Sequence, residues 1–549
     1  MINFEIKLKT MKSLLTHFTR IALLLISLNL TAQTAPFRIG LEPVSIPNLG
    51  GIQSYAFGQN NGKWLIIGGR LDGLHRRQPF ASFDVAGHNI QLIVVDPVSQ
   101  QKWSAPLTSL SISLQEQLKS TNMQFQQEGD YLYLTGGYGY SATLGDHTTF
   151  DKLTAVDVPN TIDAIINNTS FVAYFRQITD PAFQLTGGHL EKIYDVFHLV
   201  GGQKFIGRYN PMGPTSGPGF IQEYSCQDRR FKINDNGTTL TITHLPYITD
   251  LTNLHRRDYN VITQIMPNGQ EGLTAFSGVF QPTVDLPYLN CVNIDSNTAV
   301  VNNAFSQHYN HYHCANIPLY SATNNEMHNV FFGGIAQYYD SMGVLVQDNN
   351  VPFVKTIARV TRNASGVMSE YKLANEMPAL LGAGSEFIPI EGLPEYPNHV
   401  IKLDDFTADS TLIGYIYGGI SSSAPNIFFI NTGVESVATS EIFKVYLLKG
   451  ELGMDELNKQ SVGTLKLVVF PNPNDGIFTV QYNLTKASDV HIILRSVDGK
   501  IVNDERIKNQ AAGKNLYEEK SRKLRYIGEY LLTIETEYET ATQMVVISE

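Results

Sequence analysis

A short apolar strand that ends in two consecutive glycines recurs along this 549-residue chain, and no other feature narrows the possible folds as much. WLIIGG ends at Gly69, YLYLTGG at Gly137, VFHLVGG at Gly202, VFFGG at Gly334 and GYIYGG at Gly419, while LTAFSG, ending at Gly278, carries Ser277 in the first place. Each doublet is preceded by another β-like segment, with a polar turn such as NNGK (Asn60 to Lys63) or NGQE (Asn268 to Glu271) between the two. That is the chemistry of a hairpin. After each doublet come a longer loop and a third strand, clearest in NIQLIVVDPVSQQKWSAPL (Asn89 to Leu107), which reads strand, Asp-Pro turn, strand. Composition agrees: 44 Gly, 27 Tyr and 28 Phe against 17% charged residues favour many short strands over long amphipathic helices.

Four short antiparallel strands per repeat make a propeller blade. The pattern resembles kelch propellers, whose blades carry a diglycine at the end of the second strand, and the resemblance covers residues 37–449. The expected fold is an all-β, six-bladed kelch-like propeller, with long insertions in the third and sixth repeats leaving seven blades open. The last repeat has a third strand at Glu441 to Leu448 but no obvious fourth, whereas FRIGLEPVSIP (Phe37 to Pro47) precedes the first inner strand. That N-terminal segment is expected to complete the last blade and hold the ring shut.

Composition turns polar over 450–463, read as a linker, and a small β-sandwich is expected over 464–549. Here PNPxxGxF (Pro471, Asn472, Pro473, Gly476, Phe478), DGKxV (Asp498, Gly499, Lys500, Val502) and GxYxLxI (Gly528, Tyr530, Leu532, Ile534) follow in order. The segment is similar to the C-terminal sorting domain of the type IX secretion system of Bacteroidetes bacteria. The resemblance implies the type IX machinery as a partner, passage across the outer membrane, removal of this domain, and release or surface attachment of the rest. At the other end, Lys7, Lys9, Lys12 and Arg20 run into an apolar stretch, Ile21 to Leu30, and then Thr31-Ala32-Gln33. This is the layout of a secretory signal peptide, 1–32, too short in its apolar part to span a bilayer. No membrane span is expected in the mature protein.

Formal charge is −11 and no Lys/Arg run alternates with aromatics, so nucleic acid is not an expected partner. Cys226, Cys291 and Cys314 are far apart and read as small buried residues. HExxH, GxSxG, P-loop and EF-hand signatures are all missing. No catalytic residue, metal or cofactor is assigned.

In a propeller the residues leading into the inner strands converge on the channel mouth although they lie far apart in sequence. Those segments, LTGGHLEK, HRRDYN, QHYNHYHCAN and GAGSEF, nominate His189, Arg256, Arg257, Asp258, His308, His311, His313 and Glu386 as ligand-binding residues, with Glu191 and His255 nearby. If QHYNHYHC is a strand, His311 and His313 share one face, which suits a metal pair, a ligand-binding wall or ordinary hydrogen-bonded histidines. Two arginines at the channel would suit a carboxylate or sulfate on an acidic sugar, or would simply tie loops to backbone and to Asp258. Kelch-type copper-radical oxidases need a tyrosine–cysteine crosslink, which Cys226 with nearby Tyr224 does not establish. Kelch-like sialic-acid epimerases use Arg, His and Glu groups in the channel, which this set could imitate. The expectation is a secreted or cell-surface protein that binds a glycan or protein ligand. The alternative is a carbohydrate-active enzyme, epimerase- or hydrolase-like, working through Arg257, His311, His313 and Glu386.

Overall fold

A computed structural model describes residues 36–449 and 465–548, apart from 212–216, 218, 342–343, 466, 473, 485, 497–500, 520–527 and 537–539. The expected signal peptide and linker therefore lie outside the described residues, as do Pro473, Asp498, Gly499 and Lys500. The chain divides into two compact units, one of them Phe37–Lys449 and the other containing Gly450–Glu549. No described helix is long and apolar enough to cross a membrane.

The larger unit is an all-β propeller. Six sheets follow one another in sequence, each with four antiparallel strands running from an inner strand outward; the third adds the short strand Ile248–Thr249 and the fifth adds Ile401–Lys402, parallel to its inner strand. Their inner strands are Ala56–Asn60, Gln124–Glu128, His189–Ile193, Asn260–Ile265, Asn316–Ser321 and Glu386–Pro389. Each of these inner strands touches the next along the series. The last sheet takes its outermost strand from the start of the unit, Phe37–Val44, which pairs antiparallel with Ile442–Lys449 from Phe37 opposite Lys449 to Val44 opposite Ile442. Apolar residues fill the wedges between neighbouring sheets. Leu65 and Val94 meet Leu132 and Val156 between the first and second. Trp64 and Ile93 meet Tyr415 and Tyr417 between the first and sixth.

Two belts of backbone hydrogen bonds close the ring. In the first, six residues leading into the inner strands each donate to the one before: Asn122 to Ser54, Gly187 to Asn122, Asp258 to Gly187, His313 to Asp258, Gly384 to His313, and Ser54 back to Gly384, all at 2.8–3.3 Å. In the second, the N–H of the last glycine in each doublet donates to the following sheet: Gly69 to Ser120, Gly137 to Leu185, Gly202 to Arg256, Gly278 to His311, Gly334 to Leu381, and Gly419 to Ile52, at 2.7–3.2 Å.

This second belt explains the doublets. Both residues of every doublet have positive φ, a region costly for residues with a Cβ. A Cβ on the first glycine would also strike the next sheet's backbone, as at Gly136 against the Leu185 carbonyl oxygen and Gly418 against that of Ile52. Ser277 holds the same conformation, φ +48°, and its buried hydroxyl donates to the Tyr288 carbonyl at 2.7 Å.

Sequence reading differs from the structure in three places. KLTAVDVPNTI is a strand only as far as Asp157, which caps the helix Val158–Ile166 by accepting from the Asn160 N–H. FIQEYSCQDRRFKI is broken at Cys226, φ +52°, into Ile221–Tyr224 and Gln227–Asp235. The first piece joins Tyr138–Ser141, Asp146–Thr149 and Gln203–Ile206 in an accessory sheet made from the loops that follow the second and third doublets. QHYNHYHC is no strand: Asn310 has φ +59°, and the inner strand starts only at Asn316. The three cysteines are free and buried.

The smaller unit is a β-sandwich. One sheet holds Val468–Phe470, Phe478–Leu484 and Gly513–Glu519, the other Ile501–Gln510, Ser488–Ser496, Gly528–Glu535 and Thr540–Ile547. Alternate residues of the two sheets, among them Val480, Tyr482, Ile492, Leu494, Leu532 and Ile534, form its core. Asn472 of the motif and Asn474, at one of its open positions, pin the turn to the last strand: Asn472 Oδ1 accepts from the Val546 N–H at 2.7 Å, and Asn474 donates to the Val546 carbonyl at 3.2 Å.

Candidate functional site

The first hydrogen-bond belt forms a neck, and a chamber lies on each side of it. The outer chamber, about 150 Å³, is bounded by loops that follow the doublets. The inner chamber, about 190 Å³, is bounded by the inner strands. Ser54, Asn122, Asp258 and His313 line both, so the two chambers meet at the neck. The remaining two neck positions are Gly187 and Gly384, where a Cβ would crowd Asp258 and Ser54 respectively.

Of the predicted residues, Arg257, Asp258, His313, His189 and Glu386 come together here. Arg257 lines the outer chamber. It forms an ion pair with Asp258, donates through Nε to the Tyr224 hydroxyl at 3.0 Å and lies over the Phe280 ring. No described residue accepts from its Nη2. Tyr224 itself stacks on His255, with ring centroids 3.7 Å apart. On the other side of the neck His313 Nε2 stands 3.0 Å from Glu386 Oε1. Burial would lower the His313 pKa, but the Glu386 carboxylate more than offsets it and the net shift is upward. The His189 ring meets that of His313 edge to face at 5.4 Å and hydrogen-bonds the Tyr259 carbonyl. Burial, helped by His313, pulls His189 down to about 3, so it is neutral at physiological pH. Glu191, two residues further along the same strand, also lines the inner chamber.

Arg256, His308 and His311 lie elsewhere; none lines either chamber. Arg256 is buried, donating to the carbonyls of Asn253, Ser277 and Asn290 and packing on Tyr288. The arginine doublet is therefore divided, one member tying loops to backbone and the other facing the chamber. His308 sits beside Glu370, 3.7 Å away, and against Tyr338. His311 is fully buried; its Nε2 donates to the Gln307 carbonyl at 2.9 Å and its Nδ1 accepts from the Gln337 N–H at 3.0 Å. Because its segment is not a strand, it does not share a face with His313, and both its ring nitrogens are already engaged. Burial lowers its pKa to about 4. Among the described residues no group of three or more His, Cys, Asp or Glu side chains is arranged to hold a metal.

Sequence reasoning missed the wall of the outer chamber. Arg70, Tyr138, Gln203, Ile335 and Ile420 each directly follow a doublet, and Phe280 follows one residue later; all line this chamber. Further aromatic surface comes from His75, Phe83, Phe205, Tyr209, Tyr312 and Phe428. The signal was present in the sequence, since in five of the six repeats the residue directly after the doublet lines the chamber.

Residues 468–548 match the family model described as a secretion system C-terminal sorting domain. This C-terminal region is a type IX sorting domain, and it supports export across the outer membrane to the cell surface or the medium. No curated protein matches the chain. Among solved structures it is similar to that of YjhT, with 11% identity, 74% of this chain and 99% of that chain covered and a TM-score of 0.40. It is also similar to a fungal alcohol oxidase of the AA5 family in complex with copper, with 9% identity, 94% and 100% covered and a TM-score of 0.35. A third likeness is to a glycoside hydrolase family 43 arabinoxylan arabinofuranohydrolase from Bacillus subtilis, with 12% identity, 90% and 95% covered and a TM-score of 0.31. Likenesses this distant carry no assignment of activity, which has to rest on the residues of the site.

Proposed function

We propose that this chain is a six-bladed, kelch-like propeller spanning residues 37–449, exported by a signal peptide (1–32) and, beyond a linker (450–463), by its sorting domain (464–549). At the outer surface of a Bacteroidetes cell, or released from it, it binds an acidic glycan at the channel mouth. Arg257 carries this reading: a guanidinium already oriented by Asp258 and Tyr224, in a chamber whose walls include seven Phe and Tyr rings. Apolar and aromatic walls with a few placed polar groups are typical of small-molecule sites, and the guanidinium fork fits a carboxylate or sulfate. The test is a glycan array followed by calorimetry on the full chain. Arg257→Ala should weaken binding of acidic glycans by tenfold or more, on the order of 1.5–3 kcal/mol for a lost charged hydrogen bond, and leave neutral glycans unchanged. Equal binding by the variant would remove Arg257 from the site.

A second reading has one observation in its favour. The His313–Glu386 contact places a base and its orienting partner at the neck, as acid–base chemistry on a sugar requires. Turnover lost in Glu386→Gln, with acidic-glycan affinity kept, would support an enzyme over a binding protein.

A further inference from the structure

The inner chamber contains a carboxyl group that nothing described explains. Glu191 lines it, is only partly exposed, and has no hydrogen bond or ion pair to any described residue. Every other charged group facing this space is engaged: Glu386 with His313, and Asp258 with Arg257. Glu128 is paired with Lys192 at 2.5 Å. His189 is held by the Tyr259 carbonyl. Glu191 belongs to the third sheet and Glu386 to the sixth, which stand opposite each other in a ring of six. Glu191 and Glu386 thus face one chamber with His313 to balance their charge, Asp258 being matched by Arg257. Burial, with Glu386 and Glu128 adding to it, raises the Glu191 pKa to about 8, the expected response of a carboxyl lacking a cation.

We propose that the inner chamber takes a primary ammonium group, the free amine of an amino sugar, held between Glu191 and Glu386. An ammonium supplies three donors and one positive charge, which matches two facing carboxylates and Asn316, also in the wall. A ligand with an acidic group against Arg257 and an amine beyond the neck would occupy both chambers. The inference rests on the channel-mouth reading only for the acidic end.

Calorimetry on the full chain with 6-amino-6-deoxyglucose, its N-acetyl derivative and n-butylamine tests it. The amino sugar should bind at least tenfold tighter than the N-acetyl derivative at pH 7.5. Binding below pH 8 must first remove a proton from Glu191, so affinity should rise on the order of twentyfold from pH 6.5 to pH 8.5. Loss of any remaining positive charge on His313 over that range acts in the same direction. Glu191→Gln resembles the protonated Glu191 side chain and should fold; it should remove most of the pH slope, leaving only the part due to His313, and bring the amino sugar down to the N-acetyl level. Glu386→Gln should weaken amine binding as well. Equal affinity for amine and amide, an undiminished slope in Glu191→Gln, or n-butylamine binding as tightly as the amino sugar would each overturn the proposal. Loss of acidic-glycan binding in Arg257→Ala does not depend on these outcomes, so the two readings can fail separately.

Discussion

The two backbone belts and the side chains borne on them follow different rules. The belts repeat six times with little variation: the same donor register, the same positive φ at every doublet, and one serine in place of a glycine. The neck side chains hardly repeat at all, being Ser54, Asn122, Gly187, Asp258, His313 and Gly384 in turn. Six like supports hold unlike groups around one neck. The scaffold therefore lies in what recurs and the chemistry in what does not, which agrees with the general finding that function is grafted onto folds.

The belts are open to direct attack. Gly136→Ala would put a Cβ at φ +61° against the Leu185 carbonyl oxygen, an atom fixed in the next sheet. Strain and collision together should cost about 3–5 kcal/mol in urea unfolding of the full chain. Gly62→Ala has a similar φ, +71°, but open space around it, and should cost only about 1 kcal/mol. A similar loss in both would show that conformation alone, rather than contact between sheets, selects the glycines.

This contrast also explains how much could be read from the sequence. The doublets are legible because two steric demands fall on the same residues. Closure by Phe37–Val44 is legible because a sheet short of one strand leaves an edge, and a spare strand exists at the other end of the unit. The sorting domain is legible because Asn472, Asn474 and Gly476 serve one turn. His311 was misplaced for a physical reason: alternation is meaningful only along a strand, and the positive φ at Asn310 removes the strand. Arg256 and Arg257 are indistinguishable by composition, and only the chain's direction at the channel decides which becomes a structural tie.

The fate of His311 gives a pH test of intermediate size. Its folded pKa is about 4, below the ordinary 6.5. Above pH 6.5 both folded and unfolded forms are neutral and the group has no effect. As pH falls from 6.5 towards 4, only the unfolded form takes up the proton, so stability is lost across that window. Protonation would also deprive the Gln337 N–H of its acceptor. His311→Gln retains one donor and one acceptor and should recover on the order of 2 kcal/mol of the loss between pH 6.5 and 4.5, measured by urea midpoints. At pH 7.5 the same variant should bind glycans as the wild type does. Weakened binding at equal stability would return His311 to the site.

The smallest expected effect comes at the belt's one exception. Ser277→Gly relieves a positive φ that costs a residue with a Cβ roughly 1–2 kcal/mol. It also removes a buried hydroxyl's bond to the Tyr288 carbonyl, about 1 kcal/mol, and gives the unfolded chain more freedom, worth about 0.5–1 kcal/mol. These contributions nearly cancel, so the urea midpoint should shift by less than about 1 kcal/mol. If the loss instead approaches that of Gly136→Ala, the fourth sheet is held at this point by its hydroxyl rather than by the backbone bond from Gly278 to His311. In that case the six supports are not equal, and the separation of uniform scaffold from variable chemistry fails at the sheet that carries Arg257.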